Sequence, residues 1–113
     1  MQSETISPIT EQELAARLAS SAPPVLAEIL APQYFARGHL PGAINLPLDG
    51  LAENAARLLP DKNAEIVVYC SSVSCQNSHV AERALRGLGY QHVRVFAGGK
   101  AAWQDAGYEL VAA

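Results

Sequence analysis

The chain has 113 residues, 50% of them apolar, and a formal net charge of −3. That is enough chain for one packed core and too little for two, so residues 1–113 are expected to form a single domain rather than a disordered segment. No basic run offers an electrostatic footing for nucleic acid or an anionic membrane, and no apolar stretch has the length of a bilayer span.

The opening residues, Met1-Gln2-Ser3-Glu4-Thr5, lack the basic and apolar regions of a signal peptide, which points to the cytoplasm, where thiols stay reduced. Thr10-Glu11-Gln12-Glu13 has the form of a capping box, with Thr10 as N-cap of a helix through Leu14, Ala15 and Leu18. Pro23-Pro24 forbids its continuation. Val25 to Ile29 reads as a short strand, and Gln33 to Arg37 as a turn or two of helix closed by Gly38. His39-Leu40-Pro41-Gly42-Ala43 bends the chain. Ile44-Asn45-Leu46 is a second short strand, and Leu51 to Leu59 an amphipathic helix. Ile66 to Tyr69 is an apolar run of β-branched and aromatic residues, suited to a strand buried on both faces. From Ser78 the spacing turns helical, with Val80, Ala81, Ala84, Leu85 and Leu88, and Gly89 is the stop. His92 to Phe96 is a further strand nearer an edge, and Ala97-Gly98-Gly99 opens a last helix from Lys100 to about Ala106. Strands alternating with helices imply an α/β fold, a mostly parallel sheet covered on both faces.

The chemistry is concentrated at the end of the central strand. Cys70 stands where that strand meets the short polar loop Ser71-Ser72-Val73-Ser74-Cys75-Gln76-Asn77, with Ser78 at the helix start. Open α/β sheets carry reactive groups at the carboxyl ends of their strands. Backbone N–H groups of such a loop and of the first helical turn favour an anion, and so are expected to depress the Cys70 pKa. Asn77 and Ser78 are candidate N-caps. Two cysteines five residues apart are not a disulfide framework, and with three scattered histidines they do not make a zinc set, so no metal or cofactor is expected.

Taken together and in order, these segments resemble a rhodanese domain over nearly the whole chain. Gly38-His39-Leu40-Pro41-Gly42-Ala43-Ile44-Asn45 is similar to the family's first signature, and Val67-Val68-Tyr69-Cys70 to the strand leading to its catalytic cysteine. Leu88-Gly89-Tyr90 with Val93, and Phe96-Ala97-Gly98-Gly99 with Trp103 and Gly107, resemble the segments that follow. The resemblance implies a sheet of about five parallel strands with helices on both faces. It implies a sulfurtransferase in which Cys70 takes a sulfane sulfur from a small-molecule donor, thiosulfate or a persulfide. The Cys70 persulfide then passes it to cyanide or to a thiol, including a protein thiol. The loop Ser71 to Ser78 would hold the transferred sulfur. Cys75, in the same loop, could act as a resolving cysteine or only fill space.

Two departures stand out. The loop is about two residues longer than in many relatives, and Gln76 or Asn77 takes the place of their basic residue. The family's Asp-x-Arg falls on Glu28 and Leu30, which keeps the carboxylate and loses the cation. Lys100 is the nearest basic candidate to replace the loop charge. His39 reads as a structural residue of the turn motif, His79 lies in the first turn of the helix after the loop, and His92 has no assigned role. Trp103 reads as core. A phosphatase or thiol-linked arsenate reductase of related fold is the alternative chemistry, but Gln76 stands where phosphate chemistry uses an arginine. A non-catalytic persulfide carrier or sensor is the other.

Overall fold

The strand Glu65–Tyr69 (β3) is central in the computed structural model, which describes residues 8–112. Its Ile66, Val67, Val68 and Tyr69 are each fully buried, as a strand covered on both faces requires. Val25–Glu28 (β1) lies on one side in parallel, with Glu28 opposite Tyr69, and His92–Phe96 (β4) lies on the other, with Phe96 opposite Tyr69. Ile44–Asn45 (β2) pairs with the outer edge of β1, giving the order β2-β1-β3-β4 with all pairs parallel. Among the described residues β4 is thus the last strand on its side, as expected. Where about five strands were expected, four lie among the described residues. Beyond β4 there is a single parallel bridge, Pro8 to Val95, held by Ile9 N–H on Val95 O at 3.1 Å. Pro8 has no N–H with which to extend a ladder.

Five helices complete the described chain: Glu11–Leu18 (α1), Pro32–Arg37 (α2), Leu51–Leu58 (α3), Asn77–Gly87 (α4) and Gly99–Asp105 (α5). Period-two alternation sends the strand side chains to two separate cores. On one face Ala27, Ile66, Val68, Val93 and Val95 pack with Leu51 and Ala55 of α3 and Ala81 and Leu85 of α4. On the other, Leu26, Val67, Tyr69 and Phe96 pack with Leu14 of α1 and Trp103 of α5. Each fully buried aliphatic or aromatic side chain contributes roughly 1.5–3 kcal/mol of transfer free energy, so both layers are needed to hold the sheet.

The helix signals act as expected where they are local. Thr10 Oγ1 accepts from Glu13 N–H at 3.1 Å, while the Glu13 carboxylate reaches Arg94 at 2.9 Å across to β4. Pro32 sits in the first turn of α2, where its missing N–H costs nothing. Gly89, at φ +103, ends α4: its N–H donates to Arg86 O and Tyr90 N–H to Leu85 O, a Schellman pair.

The chain runs from β1 outward to β2 and returns past β1 to β3. The switch in direction therefore falls between the carboxyl ends of β1 and β3, which is where open α/β sheets leave a crevice.

Candidate active site

Cys70 follows the last residue of β3 and is 1% exposed. Its Sγ lies 3.5 Å from Cys75 O and 3.6 Å from Ser78 Oγ, and Ser78 is itself fully buried in the first turn of α4. Cys75 N–H donates to Ser72 O at 3.0 Å, so the loop turns back over the sulfur. Ser72 and Ser74 hydroxyls bond each other at 3.1 Å on the outside of that turn, and Val73 between them is exposed.

Of the loop residues singled out, Cys75 and Ser78 contact the Cys70 sulfur directly. Neither Asn77 nor Ser78 is the N-cap of α4, as had been expected; Gln76 occupies that position, in helical geometry and without a side-chain cap bond. The reason is tertiary. Asn77 Nδ2 donates instead to Ile29 O at 3.1 Å, tying the loop to the end of β1, and Ser78 Oγ faces the sulfur.

The expectation of a depressed Cys70 pKa is also corrected. Burial pushes the Cys70 thiol up, and its interaction with the Cys75 thiol adds to this; the Ser78 hydroxyl and N–H pull the other way without prevailing. Cys75 is shifted down. Its own burial acts upward, but the hydrogen bond from Cys70 and the N–H groups of Asn77 and Ser71 outweigh it. The Cys75 carbonyl beside Cys70 Sγ suits a thiol that donates, while the Ser78 hydroxyl is the contact that can serve its anion.

Helix α5 closes the other side. Gly99, at φ +61, brings its Cα so near that a Cβ there would lie 2.3 Å from Cys70 O. Lys100 N–H and Ala101 N–H then cap Cys70 O and Ser71 O at 3.0 and 2.9 Å. Gly99 thus packs directly on the backbone of Cys70 and Ser71.

A second group of side chains, which sequence reasoning did not connect, stands beside the cysteine. Glu28 is fully buried at the end of β1; Tyr69 OH donates to its Oε1 at 2.7 Å, and Leu40 N–H donates to Tyr69 OH at 3.0 Å. Lys100 Nζ lies 2.9 Å from Glu28 Oε2 and donates to Tyr34 O at 3.0 Å. Burial and the Glu28 carboxylate push the Tyr69 phenol far above its ordinary range, so it stays a donor. The signal was a carboxylate inside an otherwise apolar strand, which needs a buried partner. Lys100, the basic candidate for the missing loop charge, is thus paired with the Glu28 carboxylate. With Leu30, Tyr34 and Ser71 it lines a cavity of about 450 Å³ beside the loop. The Arg37 guanidinium lies 5.7 Å over the Tyr34 ring. His39 is structural, as expected: it stacks on Phe35 at 3.8 Å, its Nδ1 pairs with Phe35 O, and its backbone bridges to Val111. Trp103 is core, edge-on to Phe96 and stacked on Tyr108.

Fold and site thus define an α/β domain that holds one buried cysteine at the topological switch point of a parallel sheet. A family model described as Rhodanese-like domain matches residues 10–106, and the chain belongs to that family. A protein named Sulfurtransferase from Allochromatium vinosum is 30% identical over 107 residues, covering 95% of this chain and 96% of its own. The Thiosulfate sulfurtransferase PspE of Escherichia coli is 36% identical over 66 residues, 58% of this chain and 62% of PspE, so the match spans under two thirds of that relative. The crystal structure of a thiosulfate sulfurtransferase from Pseudomonas aeruginosa superposes with TM-score 0.85 at 30% identity, over 95% of this chain and 20% of that one. Among the described residues no helix is long and apolar enough to cross a membrane.

Proposed function

We propose that this domain is a sulfurtransferase that moves a sulfane sulfur from a donor, thiosulfate or a persulfide, to a thiophilic acceptor, cyanide or a thiol, through a persulfide on Cys70. The observation that carries this reading is the position of Cys70 Sγ at the carboxyl end of β3, under a loop that returns to it through Cys75 and Ser78. Membership of the Rhodanese-like family and relatives named as sulfurtransferases support it.

In the first step the Cys70 thiolate attacks the outer sulfur of the donor. A Cys70 Sγ–S bond forms, the donor S–S bond breaks, and its electron pair leaves with sulfite or with a thiolate. In the second step cyanide or an acceptor thiolate attacks the outer sulfur of the persulfide, and Cys70 leaves as the thiolate. The buried setting of Cys70 excludes water from both steps. A small pocket lined by Ser71 and Lys100 gives an anionic donor an approach beside the loop.

The test is the mass of the protein after exposure to donor. One added sulfur on the peptide containing Cys70, lost again on addition of cyanide, is the expected result. Cys70→Ser should abolish both the adduct and turnover; undiminished turnover in that variant rejects the assignment.

A further inference from the structure

The loop between Cys70 and α4 carries a second thiol whose placement the transfer reaction does not use. The Ser72–Cys75 turn folds the backbone back so that Cys75 O is 3.5 Å from Cys70 Sγ, which brings the second cysteine over the first. The pair is unequal in access: Cys70 is buried, and Cys75 is half-buried on the solvent side of the loop. We propose that Cys75 is a resolving thiol, which attacks the inner sulfur of a Cys70 persulfide, closes a Cys70–Cys75 disulfide and releases the carried sulfur as hydrosulfide.

This step rests on the Cys70 persulfide reading above. Its balance is internal. The Cys75 thiolate supplies the electron pair of the new Sγ–Sγ bond. The bond between Cys70 Sγ and the outer sulfur breaks, and that pair leaves with the outer sulfur, which ends as hydrosulfide. The carried sulfur is reduced, the Cys75 sulfur is oxidised, the Cys70 sulfur keeps its oxidation state, and no outside oxidant enters. A thiol reductant, monothiol or dithiol, then opens the disulfide and returns the site to its starting state.

The environment selects which thiol attacks. Cys75 is shifted toward the thiolate by its hydrogen bonds, which makes it the attacking group. Attack on the outer sulfur would only move the persulfide from Cys70 to Cys75, whereas attack on the inner sulfur joins the two cysteines and expels hydrosulfide. With acceptor abundant, transfer proceeds through Cys70. With acceptor scarce, Cys75 discharges the persulfide and holds the site closed as a disulfide until a reductant arrives.

The experiment uses the full chain, reduced, loaded with an alkyl persulfide without acceptor, freed of excess donor and followed by mass spectrometry and a hydrosulfide-reactive probe. Wild type should lose both thiol hydrogens, yield a peptide linking Cys70 to Cys75, and release hydrosulfide in proportion to the disulfide formed. Cys75→Ser and Cys75→Ala should instead retain one added sulfur and release no hydrosulfide, the sulfur leaving as thiocyanate when cyanide is added. A wild-type adduct as persistent as that of the variants overturns the resolving step and leaves the carrier role of Cys70 intact. A disulfide formed without hydrosulfide also overturns it. If the variants, folded by circular dichroism, gain no sulfur, the carrier reading falls and the resolving step with it.

Discussion

Lys100 Nζ lies 2.9 Å from the carboxylate of the fully buried Glu28, and this pair joins the carboxyl end of β1 to the first turn of α5 directly beside Cys70. Removing one partner strands the other charge away from water. Lys100→Met is therefore expected to destabilise the protein by about 3 kcal/mol, and Glu28→Gln with Lys100→Met to recover much of that loss. Urea unfolding of the single and double variants measures it. A single variant as stable as wild type would mean that the pair contributes no net stability.

The two thiols should titrate in opposite directions. Alkylation needs the thiolate, and burial holds the Cys70 thiol above the ordinary cysteine value, so its alkylation rate should still be climbing when that value is passed. Cys75 is shifted down, so it should reach its plateau at lower pH and react first near neutrality. Peptide-resolved alkylation rates across the pH range check this. A Cys70 that reacts ahead of Cys75 at neutral pH would contradict the geometry.

The loop from Ser71 to Asn77 contains no lysine or arginine, and the nearest cation, Lys100, is already paired with Glu28. A charge-assisted hydrogen bond contributes roughly 1.5–3 kcal/mol, so an added loop cation should raise the rate with thiosulfate by about one to two orders of magnitude. Gln76→Arg is the variant of choice, because Gln76 is exposed and makes no cap bond, whereas Asn77 holds Ile29 O. An alkyl persulfide should gain less. Equal gains for both donors, or none for either, would show that the missing charge does not limit the site.

Gly99 sets the approach of α5 to the cysteine. Gly99→Ala places a Cβ 2.3 Å from Cys70 O in a left-handed conformation, so a loss of at least about 2 kcal/mol and a fall in turnover are expected. Gly87→Ala, at the end of α4 with nothing within 4 Å of the added Cβ, should instead stabilise by roughly 0.5–1 kcal/mol. Thermal unfolding of the two variants, with the same sign for both, would refute the contrast.

Much of this molecule is legible from local sequence alone. The buried strand at Ile66 to Tyr69, the Thr10 cap, the Gly89 stop and the alternation of strand and helix each rest on residues close together in the chain, so propensity and periodicity suffice to find them. The place of Cys70 at a sheet end follows in the same way, because a strand, a short loop and a helix in succession leave their junction there. What the tertiary structure decided were the relations between distant segments. Glu28 meets Tyr69 and Lys100 only because β1, β3 and α5 converge, which turns an isolated strand carboxylate into a buried network with a cation from α5. Asn77 leaves the helix cap because Ile29 O offers it a partner from another strand. The ionisation of the two cysteines was likewise beyond local reading. It depends on which of them is buried and which receives the loop N–H groups, and only the folded loop settles that.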